Sequence, residues 1–229
     1  MNEARSGRAD LILVPGADAL TFEADLNEAR RRDLNVHLIE YGSWSGHPID
    51  AARDHYDRLA ARIDAVLSEA RVRPSDEARS TTGPARPLLG IGRNLGGSLL
   101  AWWARRRADF HGLVLTGAIP ELSVFRRHGQ HPSARRFRAS LPRPEDLPRI
   151  AELASLDLTR SLREIPPERV LLQVGSADCW MDANAHASFA ALARRFQVQF
   201  VDDEHAMVGA ATVAARWDFL DRCLRSCGV

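Results

Sequence analysis

Short apolar runs alternate with amphipathic stretches along the whole sequence, and this alternation is the feature that most constrains the fold. We predict six of these runs as strands: Asp10–Gly16, Asn35–Gly42, Pro87–Gly92, Gly112–Ala118, Arg169–Gly175 and Val198–Asp202. The runs are rich in Val, Ile and Leu on consecutive positions rather than on alternate ones. Both faces of each strand are therefore expected to be buried, as they are in a parallel sheet.

The stretches between the runs have the spacing of amphipathic helices. The clearest is Asp50–Arg71, where Tyr56, Leu59 and Ile63 recur on one stripe and charged residues lie opposite. The others are Thr21–Arg32, Gly96–Arg107, Ala183–Phe196 and Ala210–Leu224. Strands that alternate with helices predict an α/β fold, with one mostly parallel sheet of about six strands and helices on both faces.

One connection is much longer than the others. A chain of 229 residues suits a single core, so we predict one domain over 1–229. Residues 119–168 greatly exceed the usual connection of about 2–6 residues, and we predict that they form a small helical lid over a site. The lid carries a basic run at Arg126, Arg127, Arg135, Arg136 and Arg138. Such a run is ordinarily a solvated surface; the sharper hypothesis is that it attracts an anionic or carrier-bound substrate.

Composition excludes several classes of chemistry. All 31 basic residues are Arg, so no lysine is present to form a Schiff base or to serve a phosphate-binding loop. The three cysteines have no metal-binding spacing, and we expect neither a metal site nor a cofactor. The net charge of +1 gives no reason to expect nucleic acid or a membrane as partner.

Location and origin follow from the same composition. The N-terminal residues carry charges of both signs without an apolar core, which is unlike a signal peptide. No apolar run approaches the ~20 residues of a membrane span. We therefore expect a cytoplasmic protein, and the exclusive use of Arg indicates a GC-rich bacterial genome. The sequence does not determine the oligomeric state.

The stretch "LLGIGRNLGGSLLAWW", from Leu88 to Trp103, predicts a buried strand, a glycine-rich corner and the start of a helix. The corner has the pattern G-x-N-x-G-G with Asn94 at its centre, and such a corner holds its central residue at the end of the sheet. A dinucleotide-binding fingerprint is the competing interpretation. It is disfavoured because Leu95 stands at the third glycine and because the motif is not in the first βα unit.

Two more polar residues follow predicted strands. Asp178 comes after the fifth strand in "VGSAD", and His205 comes after the sixth in "DDEHAMV". Sites of parallel sheets lie at the carboxyl ends of strands, so both are expected near Asn94. The alternatives are that Asp178 caps the next helix, although Asp182 is better placed for that role, and that His205 is only a loop residue.

This order of features resembles the α/β-hydrolase family over nearly the whole chain. The resemblance implies the family order of nucleophile, acid and histidine at Asn94, Asp178 and His205. It also implies an oxyanion hole formed by the backbone N–H groups of Leu95 and Ala17. We expect the family's usual first two strands to be absent from this sequence, in which only a short segment precedes Leu11.

The departure from the family is Asn94, whose carboxamide is not a competent nucleophile. We favour an atypical, non-serine enzyme in which His205 and Asp178 perform acid–base chemistry on a small carbonyl substrate, of epimerase, lyase or cyclase type. Asn94 would position that substrate. The alternatives are a hydrolase that uses a His-activated water and an inactive binding or scaffold protein.

Three further residues are candidate substrate contacts. Asp18 lies in the predicted oxyanion loop, Trp44 lies in a loop expected to border the site, and Trp180 closely follows Asp178. Whether Asn94 is natural, engineered or deamidated to Asp is open at this point, although the bulky Leu95 after it should slow deamidation.

Overall fold

The computed structural model describes residues 8–16, 22–39, 52–72, 86–107, 110–120, 157–178 and 180–228. Its strands are β1 (Asp10–Val14), β2 (Asn35–Leu38), β3 (Leu88–Arg93), β4 (Phe110–Thr116), β5 (Val170–Gly175) and β6 (Gln197–Val201). Its helices are α1 (Glu23–Arg31), α2 (Ala52–Val72), α3 (Leu95–Ala104), α4 (Leu158–Ser161), α5 (Ala183–Leu192) and α6 (Ala210–Ser226). Each predicted strand and amphipathic helix is present within a few residues of its predicted ends.

The described strands form a six-stranded sheet in the order β2-β1-β3-β4-β5-β6. Every pair of neighbouring strands is parallel. The predicted parallel α/β sheet is therefore confirmed. Because all the strands run the same way, their carboxyl ends meet at one edge, and the segments after β1, β3, β4, β5 and β6 start there.

Both faces of the sheet are covered, which explains the consecutive apolar residues. Ile12 and Val14 point into one core with α2, α3 and α5. Leu11 and Leu13 point into a second core with α1 and α6. Neighbouring residues of a strand face opposite sides, so a strand buried on both sides needs apolar residues at both positions.

The last residues of the segment predicted as a lid, 157–168, pack against the sheet domain and contribute to its core. Helix α4 and the 3₁₀ turn Leu162–Glu164 after it place Leu158, Leu162 and Ile165 in the core that contains α3. These three side chains are almost completely buried. Residues 121–156, which make up most of the predicted lid and include its basic run, lie outside the described residues, so the lid stays a prediction.

Gly96 lets α3 approach the end of β1. A Cβ atom at Gly96 would lie 2.1 Å from the Pro15 carbonyl oxygen and 2.4 Å from that of Val14. Both neighbours are backbone atoms, which cannot rotate away as the tip of a side chain can. The small residue is therefore required where the glycine-rich corner crosses the neighbouring strand.

We predict that Gly96→Ala destabilises the protein by about 2 kcal/mol or more, because the added methyl group overpacks the contact between α3 and β1. Helix propensity alone would change stability in the opposite direction, by ~1 kcal/mol. Urea unfolding measures the difference. Asn184→Ala, at an exposed position of α5, is the control and should change stability by less than about 0.5 kcal/mol. Unchanged or increased stability of Gly96→Ala would contradict the close approach.

Candidate active site

Asn94 stands at a sharp corner between β3 and α3. Its backbone has φ 51° and ψ −127°, a positive φ that non-glycine residues rarely adopt. The backbone N–H of Asn94 donates to the Thr116 carbonyl oxygen on β4 at 3.1 Å, which ties the corner to the neighbouring strand. The residue is 6% exposed. Strain of this kind is typical of functional positions, and it is what the G-x-N-x-G-G pattern predicts.

Asp178 and His205 form a hydrogen-bonded pair at the same edge of the sheet. His205 Nδ1 lies 2.9 Å from both carboxylate oxygens of Asp178. The backbone N–H of Trp180 donates to Asp178 Oδ1 at 2.9 Å, and this bond orients the carboxylate. Asp178 is almost completely buried. A carboxylate can only accept, so Nδ1 carries the proton in this pair.

Asn94 completes the constellation. Its Nδ2 lies 2.6 Å from His205 Nε2, and its Oδ1 accepts the backbone N–H of Leu95 at 2.5 Å. Rotating the amide would place its NH₂ group against the Leu95 N–H, so the amide has one favourable orientation. In that orientation Nδ2 donates to Nε2. The arrangement therefore fits a neutral imidazole with its proton on Nδ1 and a lone pair on Nε2.

In the oxyanion hole that the resemblance implies, one backbone donor is already bonded to a side chain of the protein. The Leu95 N–H, one of its two donors, bonds to Asn94 Oδ1. A substrate oxygen can use that donor only after the Asn94 side chain moves. Ala17, Asp18 and Trp44 lie outside the described residues, so their roles stay predictions.

Trp180 lies beside the Asp178–His205 pair. Its ring meets the His205 imidazole edge to face, with centroids 6.3 Å apart and planes at 67°. The residue is 5% exposed. The structure thus brings Trp180 together with Asn94, Asp178 and His205, and places its ring against the imidazole.

Gly117 is a site residue that the sequence analysis missed. It follows β4 with φ +52°, and a Cβ atom there would lie 2.9 Å from the His205 carbonyl oxygen and 3.5 Å from Asp178 Oδ2. The missing side chain leaves room for the pair. The glycine that closes the run "GLVLTG" was the available signal, but nothing in the sequence shows what packs against it.

Asp203 was also missed, and it shapes the loop that carries His205. Its Oδ2 accepts the Gly209 N–H at 2.9 Å and the Thr212 hydroxyl at 2.8 Å. Its Oδ1 accepts the Glu204 N–H at 2.8 Å. One carboxylate therefore joins both ends of the loop to the start of α6.

Cys223 is not an alternative nucleophile. Cys223 is buried on α6, and burial raises the pKa of its thiol to about 11. Such a thiol stays protonated at neutral pH. Cys227 donates to the Cys223 carbonyl oxygen one helical turn away, and Cys179 lies outside the described residues.

Within the described parts of the chain, no group of three or more His, Cys, Asp or Glu residues has an arrangement that could hold a metal ion. The same parts contain no helix with the length and apolar character needed to cross a membrane.

Comparisons with known proteins show the fold. No family model matches the chain, and no curated protein matches it. Among solved structures, AbyA5 is 18% identical with a TM-score of 0.62, over 98% of this chain and 62% of AbyA5. This chain therefore spans less than two thirds of the length of AbyA5.

Two esterases are also similar in structure. The Pyrococcus furiosus esterase Pf2001 is 14% identical with a TM-score of 0.64, over 95% of this chain and 83% of the esterase. Carboxyl esterase 2 of the mycorrhizal fungus Tuber melanosporum is 16% identical with a TM-score of 0.64, over 95% of this chain and 80% of the esterase. The chain has the α/β-hydrolase fold, and the predicted fold class is confirmed.

We predict that Asp178→Asn changes the tautomer of His205. The Trp180 N–H should keep the amide oxygen at the Oδ1 position, so the amide NH₂ would replace Oδ2 beside Nδ1 and favour a proton on Nε2. The Asn94 amide would then turn its oxygen towards Nε2, because its NH₂ group cannot accept that proton. The ¹⁵N chemical shifts of the imidazole, measured at about pH 9 where an ordinary histidine is neutral, report the position of the proton.

Asp182→Asn is the control for this experiment. Asp182 lies four residues from Asp178 but caps α5 through the Ala185 N–H. This variant should leave the His205 shifts unchanged. A protonated Nδ1 that persists in Asp178→Asn would contradict the assigned hydrogen bonds.

Proposed function

We propose that this protein is a non-serine enzyme of the α/β-hydrolase fold, in which His205 exchanges a proton with a small carbonyl-containing substrate. The observation that carries the proposal is the continuous hydrogen-bonded chain from Asp178 through His205 to Asn94, with distances of 2.9 Å and 2.6 Å. Asp178 orients the imidazole and stabilises its cation, and the Nε2 lone pair serves as the base.

The identity of residue 94 argues against covalent acyl transfer. A carboxamide has no proton whose removal by His205 would generate a competent nucleophile. Deprotonation of a carbon next to a carbonyl group needs only a base and a donor for the enolate oxygen. His205 Nε2 supplies the base, and the Leu95 N–H supplies the donor once Asn94 Oδ1 has moved aside.

Asn94 suits the role of a positioning group. Its amide offers a donor and an acceptor at the point where substrate meets His205, so a polar substrate can replace its present bonds one for one. Epimerisation next to a carbonyl group, β-elimination and aldol-type cyclisation all begin with such a proton transfer. An anionic or carrier-bound substrate would in addition suit the basic run of the predicted lid.

A second candidate is hydrolysis by a His-activated water. It is favoured by the structural similarity to two proteins described as esterases. A water in place of the Asn94 amide at Nε2 would be activated by the same Asp178–His205 pair. A third candidate, a binding protein without activity, is favoured by the bonds that Asn94 already makes on both sides of its amide.

We predict His205-dependent exchange of the protons next to a carbonyl group. Simple thioesters and methyl ketones incubated with the protein in D₂O should gain deuterium at the adjacent carbon, measured by mass spectrometry. His205→Ala should slow this exchange by about 10²–10⁴-fold, because the base is lost. His186→Ala, at an exposed histidine that stacks on Phe200, should exchange at the natural rate. Equal exchange by both variants would contradict the proposal.

A second prediction concerns the missing nucleophile. Asn94→Ser places a hydroxyl beside His205 and releases the Leu95 N–H, so p-nitrophenyl ester cleavage should rise by about 10²-fold or more over the natural chain. The double variant with His205→Ala should lose the gain. An inert Asn94→Ser variant would contradict an aligned Asp–His pair and oxyanion donor.

Asn94→Ala is the matched control, because it releases the same N–H without adding a nucleophile. It should stay inactive towards esters if the gain in Asn94→Ser is nucleophilic. Ester cleavage by the natural chain or by Asn94→Ala that depends on His205 would instead support the water-activating hydrolase.

A further inference from the structure

A fully buried carboxylate, that of Asp25, accepts four hydrogen bonds from other side chains. Asp25, on α1, is 0% exposed. Its Oδ1 accepts from Arg216 Nε at 2.7 Å and from Trp217 Nε1 at 3.0 Å. Its Oδ2 accepts from Arg216 Nη2 at 2.8 Å and from Arg93 Nη2 at 2.8 Å. The bidentate pairing with Arg216 fixes the direction of the carboxylate as well as its position.

Both arginines connect this carboxylate to the backbone of the site. Arg93 is the last residue of β3 and directly precedes Asn94. Arg216 Nη1 donates to the Met207 carbonyl oxygen at 2.9 Å, and Met207 lies two residues after His205. Met207 is fully buried with φ 53°, so this loop is held in a rare backbone conformation at the point that Arg216 contacts.

Stability alone does not explain this network of buried charges, because removing charged groups from water costs free energy. Two guanidinium groups and one carboxylate are withdrawn from water here, since Arg93 and Arg216 are 1% and 0% exposed. Well-packed apolar residues of similar volume usually stabilise a core as well as buried ions do or better. Directional bonds from one carboxylate to two separate chain segments do something that apolar packing does not, which is to hold those segments in a defined register.

We propose that Asp25 is a positioning residue that sets the distance between Asn94 and His205, acting through Arg93 on the corner and through Arg216 on the His205 loop. Neither arginine needs to touch substrate. The catalytic consequence rests on the proposed function, whereas the effect on the Asn94–His205 contact is measurable without any activity.

The first arm of the test is NMR on Asp25→Asn in the otherwise natural chain. The substitution keeps the shape of the side chain but places an NH₂ group where one oxygen accepted from a guanidinium. We expect the ¹⁵N signal of His205 Nε2 and the side-chain amide signals of Asn94 to shift and broaden. Asp25→Glu, which keeps the carboxylate, should recover part of the natural spectrum.

Asp10→Asn is the matched control. Asp10 is another buried carboxylate, 1% exposed, and it accepts from Asn35 and contacts His37 at the opposite, amino end of the sheet. Asp10→Asn should also lower thermal stability, but it should leave the Asn94 and His205 signals unchanged. The proposal is overturned if Asp25→Asn loses stability with these signals unchanged, or if Asp10→Asn moves them equally.

Arg216→Lys is the second variant, for the case that Asp25→Asn does not fold. A lysine keeps the charge but cannot bond both Asp25 oxygens and the Met207 carbonyl in the same fork geometry. It should shift the His205 signals more than those of the Asn94 corner. If neither variant folds, the network serves folding alone and the proposal is overturned.

The second arm measures ester cleavage in the Asn94→Ser background. Adding Asp25→Asn should lower kcat by about tenfold or more with KM changed less than about threefold, because alignment and not binding is lost. Equal changes in kcat and KM would argue against a positioning role. If Asn94→Ser itself is inert, the proposed function fails in that assay, and the NMR arm still decides whether Asp25 sets the contact.

Discussion

The parallel direction of the six described strands is the constraint on which the site depends. It brings the residues after β3, β5 and β6 to one edge, although Asn94 and His205 are 111 positions apart in the chain. The packing of apolar residues on both faces holds the strands in that order. The polar groups of the site then lie just beyond the buried sheet, where the chain leaves the core and backbone groups become available.

The Asn94 side chain occupies the position at which the α/β-hydrolase family usually has its nucleophile, but it carries an amide there. It lies between the His205 imidazole and a backbone donor, with Nδ2 bonded to His205 Nε2 and Oδ1 bonded to the Leu95 N–H. A hydroxyl at this position would be a potential nucleophile, whereas the amide acts as a bridge that matches the neutral imidazole. The site therefore holds an imidazole and a backbone N–H donor on either side of this amide, and it lacks a hydroxyl or thiol at position 94. Under the proposed function these groups are the base and the oxyanion donor.

Buried carboxylates connect the chain segments that carry Asn94 and His205. Asp25 joins the arginine before Asn94 to the arginine that contacts the His205 loop, and Asp203 separately joins both ends of that loop. Gly117 provides the space in which the His205–Asp178 pair fits. Apolar packing determines where the strands lie, and these directional contacts determine how the functional side chains face one another.

The sequence by itself determined the α/β class, the approximate elements and several of the candidate site residues, because apolar runs, helical spacing and the glycine-rich corner are local patterns. Asn94, Asp178 and His205 could be anticipated because each follows a recognisable strand. Only the tertiary structure decided the orientation of the Asn94 amide, the place of Gly117 and the partners of Asp25. Asp25 and Arg216 are 191 positions apart, and a contact at that separation depends on how helices pack across the sheet, which no local pattern encodes.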